Sequence, residues 1–127
     1  MGGLALVILL DQFPRNMFRA SPRACESDAA ALALARKVTA WGKDRELAPV
    51  FRWFLYTPFE HAEDLAVQRE CVALARSMGA HDGGADCIRA AVRHCEIIER
   101  FRRFPNRNAA LGRETTLEEA EFLKEPD

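Results

Sequence analysis

The sequence predicts an all-α protein, an antiparallel bundle of five to six helices. Its 21 Ala and 13 Leu residues outnumber the 14 residues of Val, Ile and Thr combined. Ala and Leu lose little freedom on entering a helix, whereas β-branched side chains suit the pleated surface of a sheet. Apolar residues recur at intervals of three and four, which is the spacing of one helix face, and no segment alternates strictly between apolar and polar residues.

The patterns of apolar residues and helix-breaking residues define each element. The expected helices run from Leu4 to about Gln12, from Ser21-Pro22 to Gly42, from Pro49 to Thr57-Pro58, from about His61 to Met78, from about Asp86 to Arg103, and from Thr116 to about residue 125. Connections between them are short, so successive helices should pack antiparallel.

The boundaries of the first three helices rest on Pro, Ser and Gly. Pro14 is expected to end the first helix, whose run Leu4–Leu10 is apolar on every side and predicts burial all round. Ser21 can cap the second helix with Pro22 at its first position, and Gly42 suits the left-handed residue after its end. The third helix starts at Pro49 and should stop before Thr57-Pro58.

The last three helices have equally clear limits. Gly79 follows the fourth helix and Pro105 follows the fifth. Thr116 and Glu119 have the spacing of a capping box, which starts an acidic C-terminal helix. We expect these helices to form a single domain over residues 1–127.

Composition and charge exclude several classes of protein. The 127 residues carry 18 basic and 19 acidic side chains, a net charge of −1, and 49% are hydrophobic. A near-neutral chain is not a generally basic nucleic-acid binder, and its apolar content is too high for intrinsic disorder. The run Leu4–Leu10 is far shorter than the roughly 20 residues of a membrane span. We therefore expect no nucleic-acid partner and no membrane.

The cysteines and the N-terminal region favour a cytoplasmic location. Cys25, Cys71, Cys87 and Cys95 form no C-x-x-C pair, so we expect buried, reduced thiols rather than zinc ligands or a redox motif. No positively charged stretch precedes the apolar run, so it does not have the pattern of a secretory signal.

Three connections concentrate polar side chains beside Phe-Pro or Pro-Phe pairs, at residues 11–16, 58–64 and 103–108. In an antiparallel bundle the connections after the first, third and fifth helices emerge at the same end. We therefore expect one polar end, whose candidate ligand-binding residues are Arg15, Asn16, Glu60, His61, Asp64, Arg103, Arg107 and Asn108.

These residue types suit the recognition of a small anion. An Arg guanidinium offers a planar pair of donors to a carboxylate or a phosphate. His61 or His94, held by a carboxylate such as Asp11, could serve as a general base, so these three are the candidate catalytic residues. Neither H-E-x-x-H nor E-x-x-H occurs, and we predict no metal and no cofactor. The alternatives are a protein or peptide interaction module whose polar end is purely structural, and an enzyme using the same pocket.

Three long motifs resemble the bacterial family catalogued as domain of unknown function 924. They are LALVILLDQFPRNMFR, PFEHAEDL and the stretch from His94 to Glu114 that contains FPNRN. The resemblance implies a helical fold of the tetratricopeptide-like superfamily, and implies no particular activity. The sequence departs from the family at Asn106, where His is usual, and at Ala62, where Ser is usual.

A further departure concerns the start of the sequence. Members of the family usually carry an additional segment, rich in Trp and Phe, before the helix that begins here at Leu4. Without a covering segment, part of that apolar helix would be exposed. We therefore expect self-association as a homodimer.

Overall fold

A computed structural model describes residues 2–17, 21–79 and 83–126. The all-α prediction is confirmed, since the described residues form seven α-helices and no strand. The helices are α1 (Gly2–Met17), α2 (Asp28–Ala40), α3 (Pro49–Glu60), α4 (Leu65–Ser77), α5 (Gly84–Phe101), α6 (Asn108–Leu111) and α7 (Leu117–Leu123). Short 3₁₀ turns lie at Pro22–Cys25, Lys43–Glu46 and Pro105–Arg107. The count exceeds five to six because the single turn of α6 follows the last 3₁₀ turn.

Two helices continue through a proline that was expected to end them. Pro14 lies inside α1 and Pro58 lies inside α3. A proline has no N–H for the carbonyl four residues earlier, which is Phe54 in the case of Pro58. The Thr57 hydroxyl lies 2.8 Å from that carbonyl oxygen and 2.9 Å from Asp11 Oδ2, so its single proton is shared between the two acceptors, and the helix reaches Glu60.

The starts of two helices, α2 and α4, also differ from the expected limits. After the 3₁₀ turn capped by Ser21, α2 begins at Asp28. The fourth helix begins at Leu65 rather than near His61, because the Asp64 carboxylate accepts the Val67 N–H and caps it. In contrast, Thr116 and Glu119 form the predicted capping box of α7.

Glycine conformation explains two of the turns at the other end of the bundle. Gly42 follows α2 with φ 72°, the left-handed conformation expected there. At the start of α5, a Cβ on Gly84 would lie 1.8 Å from the Gly79 carbonyl oxygen, so only glycine allows this close approach. The predicted turn at residues 79–84 lies partly outside the described residues.

Side-chain contacts fix the antiparallel order of the helices. Arg15 in the last turn of α1 bonds Asp28 in the first turn of α2, and Asp11 bonds His61 just after α3. Gln68 near the start of α4 donates to the Glu60 carbonyl oxygen at 2.7 Å. The C-terminal ends of α1 and α3 therefore meet the N-terminal ends of α2 and α4, as the parity argument requires.

Helices α1 to α5 contribute to a common apolar core. Leu55 and Phe59 of α3 are its largest apolar side chains, with 0% and 1% exposure. They pack in one cluster with Leu4, Val7, Ala35, Val67, Cys71, Ala75, Cys87 and Ala91. Burial of these side chains supplies the main force that holds α3 at the centre of the bundle.

One face of α1 is open, so the expectation of burial on every side is wrong. Its exposed apolar side chains lie at helical spacing, and α3, which contacts α1, exposes three more. These seven residues, called the apolar face below, are Leu6, Leu9, Phe13, Met17, Val50, Phe51 and Phe54.

Among the described residues, none of the helices is long and apolar enough to cross a membrane.

Candidate functional site

A buried carboxylate, Asp11, lies where the connections after α1 and α3 meet. Its side chain is fully buried and accepts hydrogen bonds through both oxygens. His61 Nδ1 donates to Oδ1 at 2.8 Å, and the Thr57 hydroxyl lies 2.9 Å from Oδ2. Arg15 Nη1 lies 3.2 Å from Oδ1. The carboxylate therefore fixes the imidazole tautomer, with the proton of His61 on Nδ1.

The partners of Asp11 keep it ionised. Burial by itself would raise the pKa of Asp11, but three effects together outweigh it and lower the pKa below the usual 3.8. They are the hydrogen bond and charge of His61, the charge of Arg15 and the hydroxyl of Thr57. Asp11 is therefore more readily ionised in the folded protein than an ordinary aspartate.

Arg15 is neutralised by two carboxylates. Besides Asp11, it binds Asp28 with a bidentate pair of hydrogen bonds, from Nη1 at 2.7 Å and from Nη2 at 2.8 Å. Burial tends to lower the pKa of Arg15, but the hydrogen bond to Asp28 and the charges of Asp11 and Asp28 raise it overall. The ion pair between Arg15 and Asp28 therefore joins α1 to α2.

Arg107 differs from Arg15 because no carboxylate binds it within the described part of the chain. Its Nη2 donates to the His61 carbonyl oxygen at 2.9 Å, and its guanidinium lies over the Phe104 ring, 4.6 Å from the centroid. Burial lowers the pKa of Arg107, and the positive charge of Arg15 lowers it further. Arg107 is a partly buried cation whose charge is not neutralised by direct pairing.

Two adjoining cavities open beside Arg107. One has a volume of about 290 Å³ and the other about 230 Å³, and both are lined by Cys25, Arg107 and Leu111. His61 lines the larger cavity and Arg15 lines the smaller. We call these two spaces together the Arg107 pocket. The structure thus brings Arg15, His61 and Arg107 from three connections to one place.

Glu63 and Asp28 also line the Arg107 pocket, but each forms an ion pair with an arginine other than Arg107. Glu63 accepts a bidentate pair from Arg113 at 2.8 and 3.1 Å and the Phe104 N–H at 2.6 Å. Burial opposes ionisation of Glu63, yet the Arg113 bonds and the Phe104 N–H lower its pKa overall. The candidates chosen from the sequence did not include Glu63, Arg113 or Cys25, although Glu63 lies within the predicted polar connection at residues 58–64.

Glu60 and His94 lie on the far side of the same junction. Glu60 is buried, and its Oε1 lies 3.8 Å from His94 Nδ1. Burial raises the pKa of Glu60 although the charges of His94 and His61 act to lower it. His94 is not in the Arg107 pocket and lines a separate cavity instead.

Four other candidates have structural positions outside the Arg107 pocket. Arg103 forms a bidentate pair with Glu119, at 2.8 and 2.7 Å, and holds α7 against the bundle. Asn108 is buried and accepts from Arg113 Nε at 3.0 Å. Asp64 caps α4, and Asn16 is exposed on the last turn of α1. No group of three His, Cys, Asp or Glu side chains in the described ranges could hold a metal ion.

We predict that replacing Asp11 by Asn lowers the free energy of unfolding by about 3 kcal/mol near neutral pH, because the change removes the charged acceptor of a buried network that includes Arg15 and His61. The folded-state pKa of Asp11 is lowered. The stabilisation of the folded state by ionised Asp11 is therefore complete at pH values above its ordinary pKa of 3.8. It is lost as the pH falls through the lower pKa of the folded state.

Urea unfolding of both chains at pH 5 and at pH 2 tests this prediction. The difference in stability between the native chain and Asp11→Asn should narrow at pH 2. Asp86→Asn, in an exposed pair with Arg89, is the control and should change stability little at either pH. A difference for Asp11→Asn that stays constant, or widens, on acidification would contradict the assignment.

Comparisons with known proteins agree with the fold and the motifs. The model of the family described as "Bacterial protein of unknown function (DUF924)" matches residues 1–127. A solved protein of unknown function from Agrobacterium tumefaciens is 41% identical, with a TM-score of 0.89 over 98% of this chain and 68% of that one. No curated protein matches. The chain therefore belongs to the DUF924 family of bacterial proteins of unknown function.

Proposed function

We propose that the chain binds a small carboxylate or phosphate anion in the Arg107 pocket. The observation that carries the proposal is the guanidinium of Arg107, which lies at the wall of two adjoining cavities and is paired with no carboxylate in the described residues. A partly buried charge without a counterion is costly, and an anionic ligand would remove that cost.

The neighbouring charges favour Arg107 as the anchor of the ligand. Arg15 and Arg103 have the same chemistry, but each is already held by a bidentate carboxylate. The acidic side chains of the pocket wall, Asp28 and Glu63, are held by Arg15 and Arg113. Arg107 is therefore the arginine at the cavities that makes no hydrogen bond to a described carboxylate.

His61 gives the pocket a group that can exchange a proton. Its Nδ1–H is committed to Asp11, so Nε2 is the ring nitrogen left to act on a ligand in the larger cavity. A carboxylate that orients His through Nδ1 is the arrangement of a general base. In the alternative in which the pocket is an enzyme site, His61 is the residue that would transfer a proton.

We predict that inorganic phosphate or succinate raises the thermal unfolding temperature of the native chain. A ligand at 100 times its dissociation constant stabilises by about 2.7 kcal/mol, which is easily seen for a domain of this size. Arg107→Ala should abolish the effect, and Arg107→Lys should weaken it because Lys cannot form the bidentate fork.

The control for this screen is Arg45→Ala, which removes an exposed arginine from the 3₁₀ turn Lys43–Glu46. It should respond to the anions as the native chain does. If neither anion shifts the native transition, or if Arg107→Ala responds like Arg45→Ala, the anion pocket is excluded and the polar end is purely structural.

The apolar face of α1 and α3 supports a second proposal, self-association with another copy of the chain. Its seven large side chains are between 39% and 71% exposed, and the charged residues of α1, Asp11 and Arg15, point into the bundle. Large apolar side chains exposed on two helices that contact each other favour an interaction site. A twofold dimer would bury the same face on both copies.

We predict that light scattering at tens of micromolar gives twice the mass of the 14.3 kDa chain. Phe13→Asp should restore the monomer mass, since it places a charge at the centre of the face. Leu117→Asp, which changes a side chain that is 89% exposed on α7, should leave the dimer intact. A native chain that scatters only as a 14.3 kDa species would contradict self-association.

A cytoplasmic location and a tetratricopeptide-like arrangement complete the proposal. All four cysteines are free thiols, which suits a reducing compartment. Helices that follow one another along the chain contact each other, α1 with α2, α3 with α4 and α4 with α5, which supports the tetratricopeptide-like arrangement.

A further inference from the structure

A larger cavity lies between α5, the 3₁₀ turn Pro105–Arg107 and α7, and it shares the wall residue Asn106 with the smaller cavity of the Arg107 pocket. Its volume is about 570 Å³, within the range of about 300 to 1,000 Å³ usual for small-molecule sites. The apolar part of its wall includes Ile97, Phe104 and Phe122, and the polar part includes Arg93, His94 and Asn106. We call it the His94 cavity.

The imidazole of His94 is held in one orientation at the wall. Its Nδ1 donates to the Ala90 carbonyl oxygen at 2.7 Å, which fixes the tautomer because a carbonyl can only accept. The ring stands edge-on to Phe104, with centroids 5.5 Å apart. Nε2 has no hydrogen-bond partner among the residues that the structure describes. The buried Glu60 carboxyl, 3.8 Å from Nδ1, lies behind the ring.

Arg93 and Asn106 also have donors that are not used within the described ranges. The Arg93 guanidinium lies over the Phe122 ring, 5.1 Å from its centroid, and forms no ion pair there. Stacking on Phe122 orders the guanidinium plane without occupying its N–H groups. The Asn106 side-chain amide likewise makes no hydrogen bond within those ranges.

We propose that the His94 cavity is a second ligand site, which takes a small monocarboxylate that carries an aromatic ring. The ring would pack against Ile97, Phe104 and Phe122, where apolar contact favours it. The carboxylate would accept from Arg93, and the side-chain amide of Asn106 on the same wall offers it a further donor.

Glu125 sets the charge of the ligand. Its carboxylate also lines the cavity and opposes the charge of Arg93. A dianion such as phosphate is therefore disfavoured here, whereas the Arg107 pocket has no unpaired carboxylate among its described wall residues. The two sites differ in ligand class for this electrostatic reason.

The test is calorimetric titration of the full chain with 3-phenylpropionate. We expect saturable binding of one molecule per chain at the His94 cavity. Arg93→Ala should weaken it about tenfold or more, the effect of losing a charge-assisted hydrogen bond. Arg89→Ala, one turn earlier on the exposed side of α5, should bind like the native chain. Acetate and 3-phenylpropanol, which lack the ring and the carboxylate, should each bind at least about tenfold more weakly.

Arg107→Ala separates this site from the anion pocket. Binding of 3-phenylpropionate should persist in that variant if the His94 cavity is the site, whatever happens to phosphate binding. The proposal is overturned if 3-phenylpropionate does not bind, if Arg107→Ala abolishes its binding, or if Arg93→Ala and Arg89→Ala bind it equally well.

Discussion

The polar end of this bundle depends on one buried carboxylate. Asp11 has no solvent exposure, so its charge must be compensated by neighbouring side chains. Its partners come from three parts of the chain: Arg15 from its own helix, Thr57 from α3 and His61 from the turn after α3. Satisfying one carboxylate therefore fixes the C-terminal end of α1 against that of α3, and Arg15 carries the constraint on to α2 through Asp28.

The network around Asp11 leaves Arg107 without a directly bound carboxylate. Arg15 lies between Asp11 and Asp28, and Glu63 is occupied by Arg113, so no described carboxylate binds Arg107. Because Arg107 instead donates to the carbonyl of His61, its guanidinium is placed beside an imidazole whose tautomer Asp11 sets. The structural network and the proposed ligand site are thus parts of one arrangement rather than alternatives.

The sequence predicts much of the fold because the relevant signals are local. The cap at Thr116 and the left-handed Gly42 are confirmed, whereas Ser21 caps a 3₁₀ turn instead of α2. The antiparallel order follows from short connections. The predicted helix ends at Pro14 and Pro58 are wrong because the surrounding structure can accommodate a proline inside a helix. In α3 the hydroxyl of Thr57 lies within hydrogen-bond distance of the carbonyl oxygen that Pro58 leaves without a backbone donor.

The candidate site is harder to predict because its charges are settled by partners that are distant in sequence. Glu63 and Arg113 are 50 positions apart, and nothing near either residue indicates their pairing. The sequence placed Arg15, Arg103 and Arg107 in one class of candidate ligand-binding residues. Only the three-dimensional pairing shows that Asp28 and Glu119 occupy the first two, which leaves Arg107.

A double-mutant cycle between Asp11 and His61 tests most directly whether the buried carboxylate organises this end of the bundle. Unfolding free energies would be measured for the native chain, Asp11→Asn, His61→Gln and the double variant. We expect a coupling energy of at least about 1 kcal/mol, as for side chains in one buried network. The exposed pair of Arg36 and Glu70, both changed to Ala, should give a smaller value. Additive effects of Asp11→Asn and His61→Gln, within about 0.3 kcal/mol, would contradict the central role of Asp11.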